Sequence, residues 1–129
     1  MSDHRRHIDP DYQRWGSKYP RFPGVAECVR LLRLGNARGA WIDIIIHELA
    51  TNAEDCLPDL IAAFRSDESE GVRLMVLMAI TEARLPAAIP FLADVVRERH
   101  PQFASYAEQG LTEIGTREAR TALWEATHN

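Results

Sequence analysis

The sequence predicts an all-α fold: a short α-solenoid of about three helical hairpins behind an irregular N-terminal arm. Three observations predict it. From Gly24 onward apolar residues recur at the 3.6-residue spacing of amphipathic helices. No stretch alternates with the period of two that a half-buried strand requires. The chain also resembles itself at a step of thirty-odd residues, the signature of stacked repeats. At 129 residues it has the size of one domain, large enough to bury a core without disulfide or metal staples.

Residues 1–23 form the expected arm. They contain Pro10, Gly16, Pro20 and Pro23 among Tyr12, Trp15, Tyr19 and Phe22, with no sustained helical period. Proline restricts itself and the residue before it, so this segment reads as extended chain with one helical turn near Asp11 to Trp15. Four aromatics are costly to leave in water and are expected to dock on the first helices. The helical domain then occupies residues 24–129.

Its first helix carries Val25, Cys28, Val29 and Leu32 on one stripe and stops at Gly35-Asn36, residues suited to a left-handed cap. The second runs from about Ala37 to Ala50. A third starts at Asn52 or Asp55 and covers Cys56 to Phe64, with Pro58 tolerated in the first turn. Ser66 to Ser69 punctuate the chain before a fourth helix, Glu70 to Ala83. A fifth opens at Pro86, bends near Pro90 and reaches about Glu98. His100-Pro101 precedes the sixth, Gln102 to Ile114, and Thr116 caps the last, Arg117 to Ala126.

The repeat is clearest in Val72 to Leu92: Val72-Arg73, a small apolar run to Ala79-Ile80, a tight turn, then Ile89-Pro90-Phe91-Leu92. Phe103 to Leu123 fits the same frame with Gly110-Leu111 at the second landmark. Trp41 to Leu60 fits with one extra turn residue and Leu57-Pro58-Asp59-Leu60 at the last. Leu49, Ile80 and Leu111 are 31 residues apart, and Pro58 and Pro90 are 32 apart. This pattern resembles the short HEAT repeats of the bilin-lyase type, over about residues 24 to 126.

The resemblance implies hairpins that share a continuous core, with the aromatic arm and the last helix as the two end lids. It implies that Arg73 braces the preceding turn through Asp67 or the carbonyls there. It also implies that the second helix of each hairpin lines a concave side. The outward positions on those helices are Asp43, His47 and Thr51, then Leu74, Met78 and Glu82, then Ser105, Gln109 and Glu113.

Composition excludes several functions. The longest apolar stretch, Ala40 to Ala50, is interrupted by Asp43, His47 and Glu48 and is too short to span a bilayer. The N-terminus lacks a signal-peptide run, so a cytoplasmic location is expected. Net charge is −4, divided as +2 over residues 1–23 and −6 over the remainder, which disfavours nucleic acid and favours a basic protein partner. Fourteen of the fifteen basic residues are arginine, a compositional hint of a bacterial source.

Candidate chemistry is sparse. His47-Glu48 begins like the zinc motif HExxH, but Thr51 stands where the second imidazole must be. His4 and His7 have no partner ligands at useful spacing, and Cys28 and Cys56 read as buried free thiols. No nucleophile elbow, phosphate loop or dinucleotide turn is present, so no catalytic residue, metal or cofactor is expected.

The expected function is therefore protein–protein interaction, as a scaffold-like adaptor or an inhibitor such as a bacterial toxin-immunity protein. Its face would have an apolar centre at Leu74 and Met78 within an acidic rim of Asp43, Glu82, Glu108 and Glu113. Leu74 and Met78 either form an exposed patch or are covered by the arm or by a second copy, since monomer and homodimer are both open. The alternative is an accessory subunit of a lyase-type enzyme complex, which the resemblance implies.

Overall fold

A computed structural model describes residues 10–34 and 39–128, with backbone alone at 39 and 40. Among the described residues there are eight α-helices, one 3₁₀ turn and no strand: α1 Pro10–Lys18, α2 Val25–Arg33, α3 Gly39–Thr51, α4 Ala53–Ser66, α5 Glu70–Ala83, the 3₁₀ turn Pro86–Ala88, α6 Ile89–Glu98, α7 Pro101–Ile114 and α8 Arg117–His128. The expected stop at Gly35-Asn36 and the histidines His4 and His7 lie outside the described residues.

The arm is the main correction. Residues 10–18 are not irregular but form α1, because Pro10 fits a first helical turn, Asp11 sits at the positive end and Lys18 at the negative end. The spacing of Tyr12 and Trp15 puts both on one face, and both are buried there. Trp15 meets Tyr19 and Trp41 at ring separations of 4.6 and 5.5 Å. Tyr19 then donates its hydroxyl to Glu27 of α2 at 2.5 Å, so the aromatic segment is docked, as expected, although helically.

Within α4 the backbone kinks at Cys56 (φ −131°). Pro58 is the cause: it has no N–H for the carbonyl four residues back, and its ring would strike that carbonyl. The helix proper therefore begins where the sequence places it. Helix starts elsewhere follow side-chain chemistry. Ser69 Oγ accepts from Val72 N at 3.2 Å, His100 Nδ1 from Phe103 N at 3.2 Å, and Thr116 Oγ1 from Ala119 N at 3.1 Å. Three ends close in the left-handed region, at Arg84 (φ 52°), Arg99 (φ 61°) and Gly115 (φ 71°).

Neighbour relations run in two successions. α3 packs on α5 and α5 on α7, with α1 against α3. In the other succession α2 packs on α4 and α6 on α8, while Phe64 of α4 meets Phe91 of α6 edge-on at 5.3 Å. Close pairs α4·α5 and α6·α7 tie the two together. The interior between them holds Leu49, Leu60, Phe64, Leu77, Ile80, Leu92 and Leu111, all with no exposed surface. Each such side chain contributes about 1.5–3 kcal/mol on burial.

Polar links join the helix ends at similar sequence separations. Arg33 donates to Asp67 Oδ2 at 2.5 Å across 34 residues, Arg65 to Glu98 Oε1 at 2.7 Å across 33, and His100 Nε2 lies 3.2 Å from Glu70 Oε1 across 30. The Arg65–Glu98 and His100–Glu70 contacts are partly open to solvent, and each is worth at most about 1 kcal/mol, whereas the Asp67 side chain is buried beneath the exposed Arg33.

Candidate functional site

The residues predicted on the second helices are distributed over α3, α5 and α7, which are successive neighbours. Asp43, Thr51, Glu82, Ser105, Gln109 and Glu113 are exposed, and His47 is half-buried. Leu74 and Met78 are neither open nor sealed: both are half-buried against the core, whereas Leu77 beside them has no exposed surface. The helical period explains this difference. Leu77 points between α5 and its neighbours, and positions 74 and 78 lie at the edge of that packed stripe.

Six of the predicted positions converge. His47 Nδ1 of α3 lies 3.5 Å from Glu82 Oε2 of α5, and His47 Nε2 lies 3.5 Å from Thr51 Oγ1 on its own helix. The ring of Tyr12 meets His47 edge-on at 6.2 Å, which brings α1 to the margin of the same face. Beyond Glu82 a cleft of about 300 Å³ opens between α5 and α7. Ile46, Met78 and Thr81 supply its α3 and α5 side, Tyr106 and Gln109 its α7 side, and Glu82 and Glu113 its acidic edges. Arg84, just past the end of α5, places its guanidinium 3.8 Å from Glu113 Oε2 at this cleft. Asp43 and Leu74 do not line it.

Charge on these helices is one-sided. α3, α5 and α7 carry Asp43, Glu48, Glu70, Glu82, Glu108 and Glu113 against a single basic residue, Arg73. Glu48 is buried, and the other five carboxylates are exposed. Arg73 does not offset them from the surface, because its guanidinium is turned into the fold. Its Nε donates to the carbonyl of Phe64 at 2.7 Å, and the group lies 4.5 and 4.9 Å from the ring centres of Phe64 and Phe103. It thus clamps the end of α4 to α5 and α7 through one charge-assisted hydrogen bond and two cation–π contacts.

Of the two braces named for Arg73, the structure uses the carbonyl. Asp67 instead accepts from Arg33 and from the Ser69 N–H at 2.8 Å. Burial pushes the Asp67 carboxyl up, but the Arg33 and Ser69 hydrogen bonds and the charges of Arg33 and Arg73 outweigh it and hold the group below its ordinary value. Sequence reading missed the Arg33–Asp67 link because nothing local marks two residues 34 apart as neighbours. Their shared place at successive helix ends is the signal that could have revealed it.

The thiols stay out of the chemistry. Burial first, and Glu48 second, push Cys28 up to about 12, so its thiolate is scarce at neutral pH. Cys56 is also raised, chiefly by burial, and its Sγ–H donates to the Asn52 carbonyl at 3.1 Å. Among the described residues no group of three or more metal-ligating side chains comes together. No helix there is long and apolar enough to cross a membrane. The arrangement of α3, α5 and α7 is chemically a negatively charged, partly apolar surface that contains the cleft beside Met78. No protein-family model, no curated protein and no solved structure matches this chain.

Proposed function

We propose that the chain is a protein-binding module: a short row of HEAT-like hairpins that grips a basic protein with the exposed face of α3, α5 and α7. The observation that carries this reading is the unbalanced charge of those helices. Five exposed carboxylates lie on the helices that carry the half-buried Met78 and Leu74, while the one arginine of those helices is committed to Phe64. Two features support the row. Helices two apart in sequence are neighbours, and polar links recur at separations of 34, 33 and 30 residues, close to the 31–32-residue step of the sequence landmarks. An apolar centre with an acidic rim favours a partner with apolar anchors among basic side chains. An adaptor or an immunity-type inhibitor would use such a face, and neither needs chemistry of its own.

The test compares charge reversals on the two successions. The wild-type chain, immobilised and exposed to extract of its native source, should retain one basic protein in a salt-sensitive manner. Glu82→Lys with Glu113→Lys should release that protein, whereas Asp55→Lys with Asp59→Lys on α4 should keep it. Undiminished retention by the first pair, or an acidic partner, would refute the reading.

A further inference from the structure

We infer that the cleft between α5 and α7 is the receptacle for an arginine side chain presented by the partner protein, and that Arg84 occupies its rim as a tethered competitor. This rests on the basic-partner reading and names the group that is recognised.

The shape and lining suit an alkyl stem with a planar cationic head. Met78 and Ile46 offer apolar contact for methylene groups, and Tyr106 offers an aromatic ring. Glu82 and Glu113 supply carboxylate acceptors, and Gln109 adds an amide oxygen. A volume of about 300 Å³ holds one long side chain, not a folded segment. A neutral or anionic group would add no direct partner for Glu82 and Glu113, whose contacts within the chain, His47 at 3.5 Å and Arg84 at 3.8 Å, are long.

The chain itself already brings a guanidinium to this place. Arg84 Nη2 stands 3.8 Å from Glu113 Oε2, too far for a hydrogen bond, and its side chain remains 62% exposed. It therefore neutralises Glu113 without filling the cleft. The residue also closes α5 in the left-handed conformation, φ 52°, as Arg99 closes α6 at φ 61°, and that cap is what brings its side chain to the cleft rim. An arginine from outside, reaching deeper along Met78, would replace a distant ion pair with direct hydrogen bonds.

The experiment titrates the isotopically labelled full-length chain with three capped tripeptides at low salt: Gly-Arg-Gly, Gly-Lys-Gly and the citrulline analogue, which keeps the shape and loses the charge. Saturable chemical-shift changes are expected at the Met78 methyl and at the Tyr106 and Gln109 amides. The arginine peptide should bind at least about fivefold more tightly than the citrulline one, the size of a charge-assisted contact. Arg84→Gln should tighten binding about twofold to fivefold, and Glu113→Gln should weaken it by a similar factor, as expected for single exposed charge pairs.

Equal binding of arginine and citrulline peptides, or weaker binding in Arg84→Gln, would overturn the proposal. Arginine-dependent shifts confined to Asp43 and Glu108 would also overturn it, while leaving the acidic-face reading intact. No response from any of α3, α5 and α7 to either cationic peptide would remove both.

Discussion

Gly110 offers the sharpest test of how α7 is seated. A methyl group built at this position would lie 2.7 Å from Thr81 Cγ2, 3.2 Å from Thr81 Cβ and 3.4 Å from Leu92 Cδ1. The first separation is shorter than real carbon–carbon contacts, and Thr81 is itself buried with its hydroxyl donating to the Met78 carbonyl at 2.9 Å. Gly110→Ala must therefore push α7 away from α5 and α6. Overpacking of this kind costs about 1–3 kcal/mol. Alanine's better helix propensity returns about 0.5–1 kcal/mol. The net expectation is a loss of about 0.5–2 kcal/mol, read by urea denaturation. Thr81→Ser removes Cγ2, keeps the hydroxyl, and should rescue Gly110→Ala in the double variant. If Gly110→Ala instead stabilises the chain, as it would on an open helix surface, the close approach of α5 and α7 is wrong.

Two further outcomes follow from the clamps. Arg73→Met should cost about 2 kcal/mol or more, because it leaves the Phe64 carbonyl without its charged donor and removes both ring contacts. A melting shift of less than about 3 °C would contradict that role. Asp67 has its carboxyl held below the ordinary value, so its contribution is complete above about pH 4 and is lost as pH falls through the lowered value. Asp67→Asn should accordingly flatten the acid limb of the stability–pH profile, and an unchanged limb would exclude the Arg33–Asp67 link as its source.

Helix existence was legible in the sequence because its signals are local. The stripe Val25, Cys28, Val29 and Leu32, the break at Ser66 to Ser69 before Glu70, and Thr116 before Arg117 each act within one turn, and each appears where expected. α1 is not legible in the same way, because Pro10, Gly16 and Pro20 weigh against a helix when counted together. Only their positions, one at the first turn and the others at or beyond the last, make the helix possible. That α3, α5 and α7 are successive neighbours was legible for a different reason: the landmarks Leu49, Ile80 and Leu111 on them are 31 residues apart in the sequence. The cleft was only half legible. Met78, Glu82, Gln109 and Glu113 belong to that frame, but Ile46, Tyr106 and Arg84 enter through tertiary packing and a helix end, which no periodicity announces. The half-burial of Leu74 and Met78 lies at the same boundary, since a pattern distinguishes faces and not degrees of cover.

The docking of α1 gives the molecule an internal optical gauge. Trp15 has no solvent-exposed surface and lies against Tyr19 and Trp41, whereas Trp124 at the far end of the chain is 59% exposed and stacked on His128. An indole's emission wavelength follows its surroundings, so the covered Trp15–Trp41 pair and the exposed Trp124 emit at different colours. Detachment of α1 would redden the joint signal of Trp15 and Trp41 and leave that of Trp124 unchanged, which allows the docking of α1 to be watched while the last helix serves as its reference.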